Sequence, residues 1–151
     1  MNFLTFDIED YHHLLDIPGI SSQYDKRKSL IEKETKKILD MLEKYDKKAI
    51  FFVLGEVAEQ FPKLVKLICS KGHVLGSHSH SHILHKDMTD SEFLQDLIKS
   101  CKAIEKVSSQ KVICYRAPGF SIQKDFYHRF EIMRKAGIIY DFSLFQGPAS
   151  H

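Results

Sequence analysis

The sequence predicts an α/β domain of parallel strands with alternating helices, and three observations carry that expectation. Short apolar runs bounded by turn residues alternate with stretches whose apolar residues recur at helical spacing. Each cluster of chemically capable residues falls just after one of those apolar runs, where barrels and open parallel sheets alike place their active sites. With 151 residues, the chain is long enough for one domain with a real core and too short for two comfortable ones.

The elements follow in order. Asn2 to Phe6 is a short apolar run ending in the acidic cluster Asp7, Glu9 and Asp10, as suits a buried strand feeding a loop. Residues 11 to 25 hold Pro18, Gly19, Ser21 and Ser22 and read as irregular. From Lys28 to Tyr45, the residues Ile31, Ile38, Leu39, Leu42 and Tyr45 recur at helical spacing, and Ser29 with Glu32 fits a capping box. Ala49 to Leu54, bounded by Lys47-Lys48 and Gly55, is expected to be a fully buried strand.

Glu56 to Ser70 reads as a second helical stretch, which Pro62 divides or reopens, with Gly72 as its stop. His73 to Ser77 is the third strand. Thr89-Asp90-Ser91-Glu92 fits a capping box for an amphipathic helix carrying Phe93, Leu94, Leu97, Ile98, Cys101 and Ile104. Lys111 to Tyr115 is the fourth strand, ending in Arg116-Ala117-Pro118-Gly119. A helix over Asp125 to Lys135 stops at Gly137, and Ile138-Ile139-Tyr140 is the fifth strand, ending at Asp141.

Composition excludes several classes. A content of 43% hydrophobic and 28% charged residues is ordinary for a soluble globular protein. The net charge is +2 with basic residues spread along the chain, so no nucleic-acid partner is expected. No apolar run approaches a membrane span, and Met1-Asn2-Phe3-Leu4-Thr5-Phe6-Asp7 lacks the pattern of a signal peptide. Cys69, Cys101 and Cys114 are odd in number without CxxC spacing, which argues against a disulfide framework. The resulting expectation is a cytoplasmic, reduced protein with no membrane span. Its oligomeric state, a homo-oligomer included, is open.

The chemistry concentrates around His78, His80, His82 and His85, four histidines within eight residues directly after Val74-Leu75-Gly76. Neutral imidazole is the commonest protein ligand for zinc and similar metals, so a cluster this dense at a strand end points to a metal site. His78 and His82, four positions apart, reach one metal from a helical turn or a tight loop. His80 is two residues from each and is expected to point elsewhere, to solvent or substrate. Two imidazoles normally need a carboxylate or another ligand beside them, and Asp7, Glu9 and Asp10 supply candidates. If Thr5 to Glu9 stays extended, Asp7 and Glu9 project to the same side, one to ligate and the other to accept a proton. Arg116, two residues before Pro118, suits holding a carboxylate base in its ionised form. Asp141 either orients a catalytic group or caps a turn before Ser143. Tyr11, His12 and His13 lie near the expected mouth, as substrate contacts or as loop packing.

Taken together, these pieces resemble the NodB-type polysaccharide deacetylases, the metal-dependent carbohydrate esterase family 4 that removes acetyl groups from glycans. Thr5-Phe6-Asp7-Ile8-Glu9-Asp10 resembles the family's first motif, in the form with a residue between two acids, similar to intracellular peptidoglycan and polysaccharide-locus deacetylases. His78-Ser79-His80-Ser81-His82 fits the second motif, Arg116-Ala117-Pro118 the third, and Asp141-Phe142-Ser143 resembles the fourth. Phe51-Phe52-Val53-Leu54-Gly55 is similar to the family as well, and the likeness runs in order from about residue 3 to 145.

The resemblance implies a partial or distorted (β/α) barrel. It implies Asp7 as general base, and His78, His82 and a carboxylate as metal ligands. Glu9 is favoured for its side of the strand, with Asp10 competing. It further implies Arg116 tuning Asp7, Asp141 tuning a catalytic histidine, and a divalent metal, zinc first, with cobalt, nickel or manganese acceptable. The expected partner is an acetylated sugar or polysaccharide precursor, and the expected reaction is removal of an N-acetyl group.

The family's fifth motif, which carries the acid histidine, is missing, and His151 sits in an unlike context. The five expected strands also fall short of a closed eight-stranded barrel. One NodB-like domain over residues 1 to 151, cut short at its C-terminal end, is therefore expected. A short form completed by a partner, or His128 or His85 as substitute acid, are the other accounts. Two further functions stay in view: a non-catalytic metal- or glycan-binding module, and an amidohydrolase on a small amide, as allantoinase-like members are. A phosphoesterase fits less well, because the first strand carries acids rather than histidines.

Overall fold

The computed structural model describes residues 3–10, 13 and 29–144. Five strands, β1 (Thr5–Ile8), β2 (Ile50–Val53), β3 (Val74–Ser77), β4 (Cys114–Tyr115) and β5 (Tyr140–Asp141), form one parallel sheet in sequence order. Helices α1 (Ile31–Lys44), α2 (Gly55–Gln60), α3 (Pro62–Ser70), α4 (Asp90–Ser108) and α5 (Arg129–Lys135) fill the crossovers. This is the expected alternation, with the expected number of strands. Among the described residues no helix is long and apolar enough to cross a membrane.

The two faces of the sheet have different tasks. Phe51 and Val53 of β2, with Ile8 and Leu75, join the helices in the main core. Ile50 and Phe52 point the other way, into a small cluster with Cys114, Ile113 and Phe142. Parallel register sets Asp7 beside Phe52 and Phe52 beside Gly76, so these three share the second face. Gly76 is required there: a Cβ would lie 2.6 Å from the Phe52 ring. The helices follow from their apolar spacing. α1 buries Ile31, Thr35, Leu39 and Leu42 along one stripe, Pro62 opens α3, and Thr89 with Glu92 closes a complete capping box on α4.

Several boundaries differ from expectation. β1 runs from Thr5 to Ile8, so Asp7 lies inside the strand rather than after it. The fourth and fifth strands shrink to two residues each, and the helix expected over 125–135 begins only at Arg129, after an isolated 3-10 turn at Lys124–Phe126. The expected capping box at Ser29 does not form. Leu30 is the N-cap and lacks a side-chain bond, and Ser29 Oγ accepts only the Ile31 N–H at 3.3 Å. Most of the irregular stretch expected at 11–25, with Tyr11 and His12, lies outside the described residues, as does His151.

A buried arginine links α5 to the loop before α4. Arg129 is 2% exposed, donates to the carbonyls of His85 and Met88 and to Asp90, and lies over Phe93 and Phe126. His85 is fully buried beside it, Nε2 3.0 Å from the Tyr115 hydroxyl. It therefore belongs to the core and not to the histidine cluster. Burial, with the Arg129 charge adding to it, takes His85 from an ordinary 6.5 down to about 4. A lowered folded-state value means the unfolded chain binds the extra proton first. The contribution is complete above pH 6.5 and is lost as pH falls toward 4. Urea unfolding at pH 7 and pH 5 should differ by on the order of 2 kcal/mol through His85 alone. His85→Asn should remove that share of the slope; an unchanged slope would show that His85 does not carry it.

Candidate metal centre

Glu9 lies one residue past β1, His78 one residue past β3, and His82 four residues further in a tight turn. The turn is unusual in its backbone. Ser79 (φ 69°) and His82 (φ 58°) are both in the left-handed region that side chains rarely adopt. Such residues persist when their surroundings over-determine them, and here they do. The His82 N–H donates to Ser79 Oγ at 2.9 Å, while the Ser79 N–H donates to Ser77 Oγ, itself bonded to Ser100 of α4. The carbonyls of Ser79 and His80 accept the Gly55 and Glu56 N–H groups, which open α2 and need partners outside it. Asp96 of α4 accepts the N–H groups of His80 (2.8 Å) and Ser81 (3.3 Å).

The three side chains converge. His78 Nδ1 lies 2.8 Å from the Arg116 carbonyl, which can only accept, so Nδ1 carries the proton and Nε2 presents its lone pair. That Nε2 is 3.5 Å from Glu9 Oε2, and His82 Nε2 is 2.7 Å from the same oxygen. One carboxylate oxygen and two imidazole nitrogens thus lie within 4.8 Å of one another. Burial disfavours charge on Glu9, but the two imidazoles that face it outweigh that and take the carboxyl down to about 2. Glu9 Oε2 is buried and has no partner in good hydrogen-bond geometry. An ionised, buried oxygen facing two imidazole nitrogens suits a divalent cation, and the donor set of one carboxylate and two imidazoles fits.

Asp7 stands beside this group. Its Oδ1 accepts from Arg116 Nη1 at 2.8 Å, and its Oδ2 lies 4.0 Å from His78 Nε2. Arg116 is fixed from several sides: Nη2 donates to Thr5 Oγ1, Nε to the Phe142 carbonyl, and the guanidinium lies 4.4 Å over the Phe52 ring. Both oxygens of Asp141 accept from Ser143, one from its N–H at 3.0 Å and one from its hydroxyl at 2.6 Å. Ser143 Oγ in turn accepts the Ala117 N–H. Asp141 therefore caps the turn, the second of its two expected uses, and through Ser143 it secures the loop that carries Arg116. Burial pushes its carboxyl above the ordinary value, against the bonds from Ser143.

Asp7, Glu9, His78, His82 and Arg116 are thus brought together. Asp10 is buried, and its backbone N–H donates to His13 Nδ1; Glu9 is the carboxylate that meets both imidazoles. The ring of His13 lies 6.4 Å from that of His82. His80 stays out of the cluster, as expected, but it does not face solvent: it is 2% exposed, wedged where a Cβ on Gly55 would come within 2.1 Å of its Nδ1. His85 and His128 are both engaged elsewhere, by Tyr115 and by Asp90. Asp96 was not singled out in the sequence, and Gly55 and Ser143 were named there only as members of neighbouring motifs. The one available signal for Asp96 was a carboxylate one turn from Ser100, at the border of the face carrying Phe93, Leu97 and Ile104.

Residues 3–140 match the family model described as polysaccharide deacetylase. A peptidoglycan-N-acetylglucosamine deacetylase of Bacillus cereus is 38% identical over 84 residues, covering 56% of this chain and 30% of that protein. The peptidoglycan-N-acetylmuramic acid deacetylase PdaC of Bacillus subtilis is 34% identical over 84 residues, covering 56% and 18%. A family 4 carbohydrate esterase from Bacillus anthracis superposes with a TM-score of 0.70 at 25% identity, covering 93% of this chain and 57% of that one. The chain therefore matches under a third of the length of these two curated relatives and somewhat over half of the solved esterase.

Proposed function

The chain belongs to the polysaccharide deacetylase family, and on that premise we propose that it is a metal-dependent hydrolase removing an N-acetyl group from a glycan or glycan precursor. The observation that carries this reading is the juxtaposition of Glu9, His78 and His82 with the Asp7–Arg116 pair at the C-terminal ends of β1, β3 and β4. Glu9, His78 and His82 would hold the metal, zinc first by donor type, with cobalt, nickel or manganese chemically acceptable. When bound, such an ion supplies Lewis acidity to the acetamide carbonyl and to the attacking water.

The remaining work falls to the protein. Asp7 accepts the proton of the attacking water at Oδ2, the oxygen turned toward the cluster, while Oδ1 stays tied to Arg116. Arg116 acts as a positioning residue, held by Thr5, Phe142 and Phe52 so that Asp7 keeps its aim. Asp141 acts one step further out, fixing Ser143 and with it the Arg116 loop. The donation of the His78 ring Nδ1 to the Arg116 backbone carbonyl couples the two halves of the site. Residues 1–151 are read as one domain. The three free cysteines, Cys69, Cys101 and Cys114, support a reducing, cytoplasmic setting. There the substrate would be a nucleotide- or lipid-linked acetylated sugar. The peptidoglycan deacetylase relatives favour a glycan amide over a small cyclic amide.

The test is acetate release. Zinc- or cobalt-loaded chain, given N-acetylglucosamine oligomers and nucleotide-linked N-acetyl sugars, should liberate acetate and primary amine in equal amounts, and chelated chain should not. Metal-loaded chain that releases no acetate from any of them would overturn the reading.

A further inference from the structure

We propose that Asp96 is a positioning residue for the metal centre, fixing the spacing of His78 and His82 by holding His80 and Ser81 in the turn between them. The inference rests on the reading of Glu9, His78 and His82 as metal ligands. Five residues, 78 to 82, must return both imidazoles to one point, and two of them sit in a conformation that side chains disfavour. Left without anchors, such a turn relaxes to ordinary backbone angles and parts the two rings. Ser79 Oγ secures the His82 end. The His80 and Ser81 N–H groups are directed at α4, and both meet the Asp96 carboxylate.

A carboxylate accepting two successive N–H groups forms charge-assisted bonds and fixes two peptide planes at once. Its platform is rigid. α4 is 19 residues long, starts in a complete capping box, and lays Ser100, one turn after Asp96, against Ser77 at the end of β3. The His80 ring, buried against Gly55, pins the same segment from its side-chain end. Asp96 therefore governs the site without touching either ligand ring, and removing it should act on metal affinity more than on folding. Outer-shell partners of metal ligands typically change affinity about 10–100-fold.

Cobalt titration, followed by visible absorption and set beside circular dichroism, tests this. Asp96→Asn keeps one acceptor oxygen, and Asp96→Ala removes both. The wild type should bind cobalt with a ligand-field band. Asp96→Asn should retain the wild-type dichroism while its cobalt Kd rises about 10–100-fold and its band shifts. Asp96→Ala should go further in the same direction. Ile104→Val, which loosens the same helix away from the turn, should lower Tm and leave the cobalt Kd and band unchanged. Asp96→Asn binding cobalt like the wild type, while His82→Ala does not bind, would overturn the role of Asp96 alone. So would Ile104→Val weakening cobalt as much as Asp96→Asn. A wild type that takes up no cobalt would overturn the metal reading and this inference together.

Discussion

Replacing His82 with alanine is expected to lower affinity for zinc or cobalt by more than about 100-fold while the chain stays folded. Loss of an outer-shell partner alone costs about 10–100-fold, and His82 supplies one of the three donor atoms that converge among the described residues. Its Nε2 is also the nitrogen nearest the buried Glu9 oxygen, at 2.7 Å. The fold should survive because the side chain lies in the turn beyond the sheet. Alanine is less favoured than histidine in the left-handed region, but the backbone bonds of the turn to Ser79 and Asp96 remain to hold it. Metal content by plasma mass spectrometry after soaking, beside circular dichroism, reads both quantities. Near-stoichiometric metal in His82→Ala would remove this residue from the ligand set.

Asp7→Asn should have the opposite signature: metal content unchanged and acetate release slowed about 10²–10⁴-fold, the usual contribution of a positioned general base. The amide keeps the size of the carboxylate and still offers an oxygen to Arg116, but it cannot take a proton at pH 7. The separation of roles follows from geometry. Asp7 commits one oxygen to the guanidinium at 2.8 Å, and the other stands 4.0 Å from His78 Nε2. If Asp7→Asn loses its metal instead, Asp7 is a ligand and the base must be another group.

How much of this was legible in the sequence divides along a physical line. Period and strand order were readable because they are local: the apolar run at 50–53, the break at Pro62 and the Thr89 capping box all stand as expected. Strand alternation and the four-residue histidine spacing left the carboxylate open, the family resemblance named Glu9 with His78 and His82, and the fold brings these three together. Two things were out of reach. One was which histidines face inward, because the burial of His80 depends on a glycine 25 positions away and that of His85 on Arg129. The other was strand length at β4 and β5, where propensity predicted three to five residues and pairing leaves two. The Ser29 signal failed because a side chain on the wrong side of Leu30 cannot reach the third residue of the helix.

Glu9 and the histidine turn are separated by roughly seventy positions in the chain, spanning α1, β2, α2, α3 and β3. An ion shared between them would therefore act as a clasp across nearly half the polypeptide. The unfolded chain would have to either surrender the ion or give up the freedom of that whole loop. Chemistry and chain topology thus meet in the same three side chains. Loading such a centre would restrain the first half of the sheet as a single unit, with β2 enclosed between the two strands that carry the ligands.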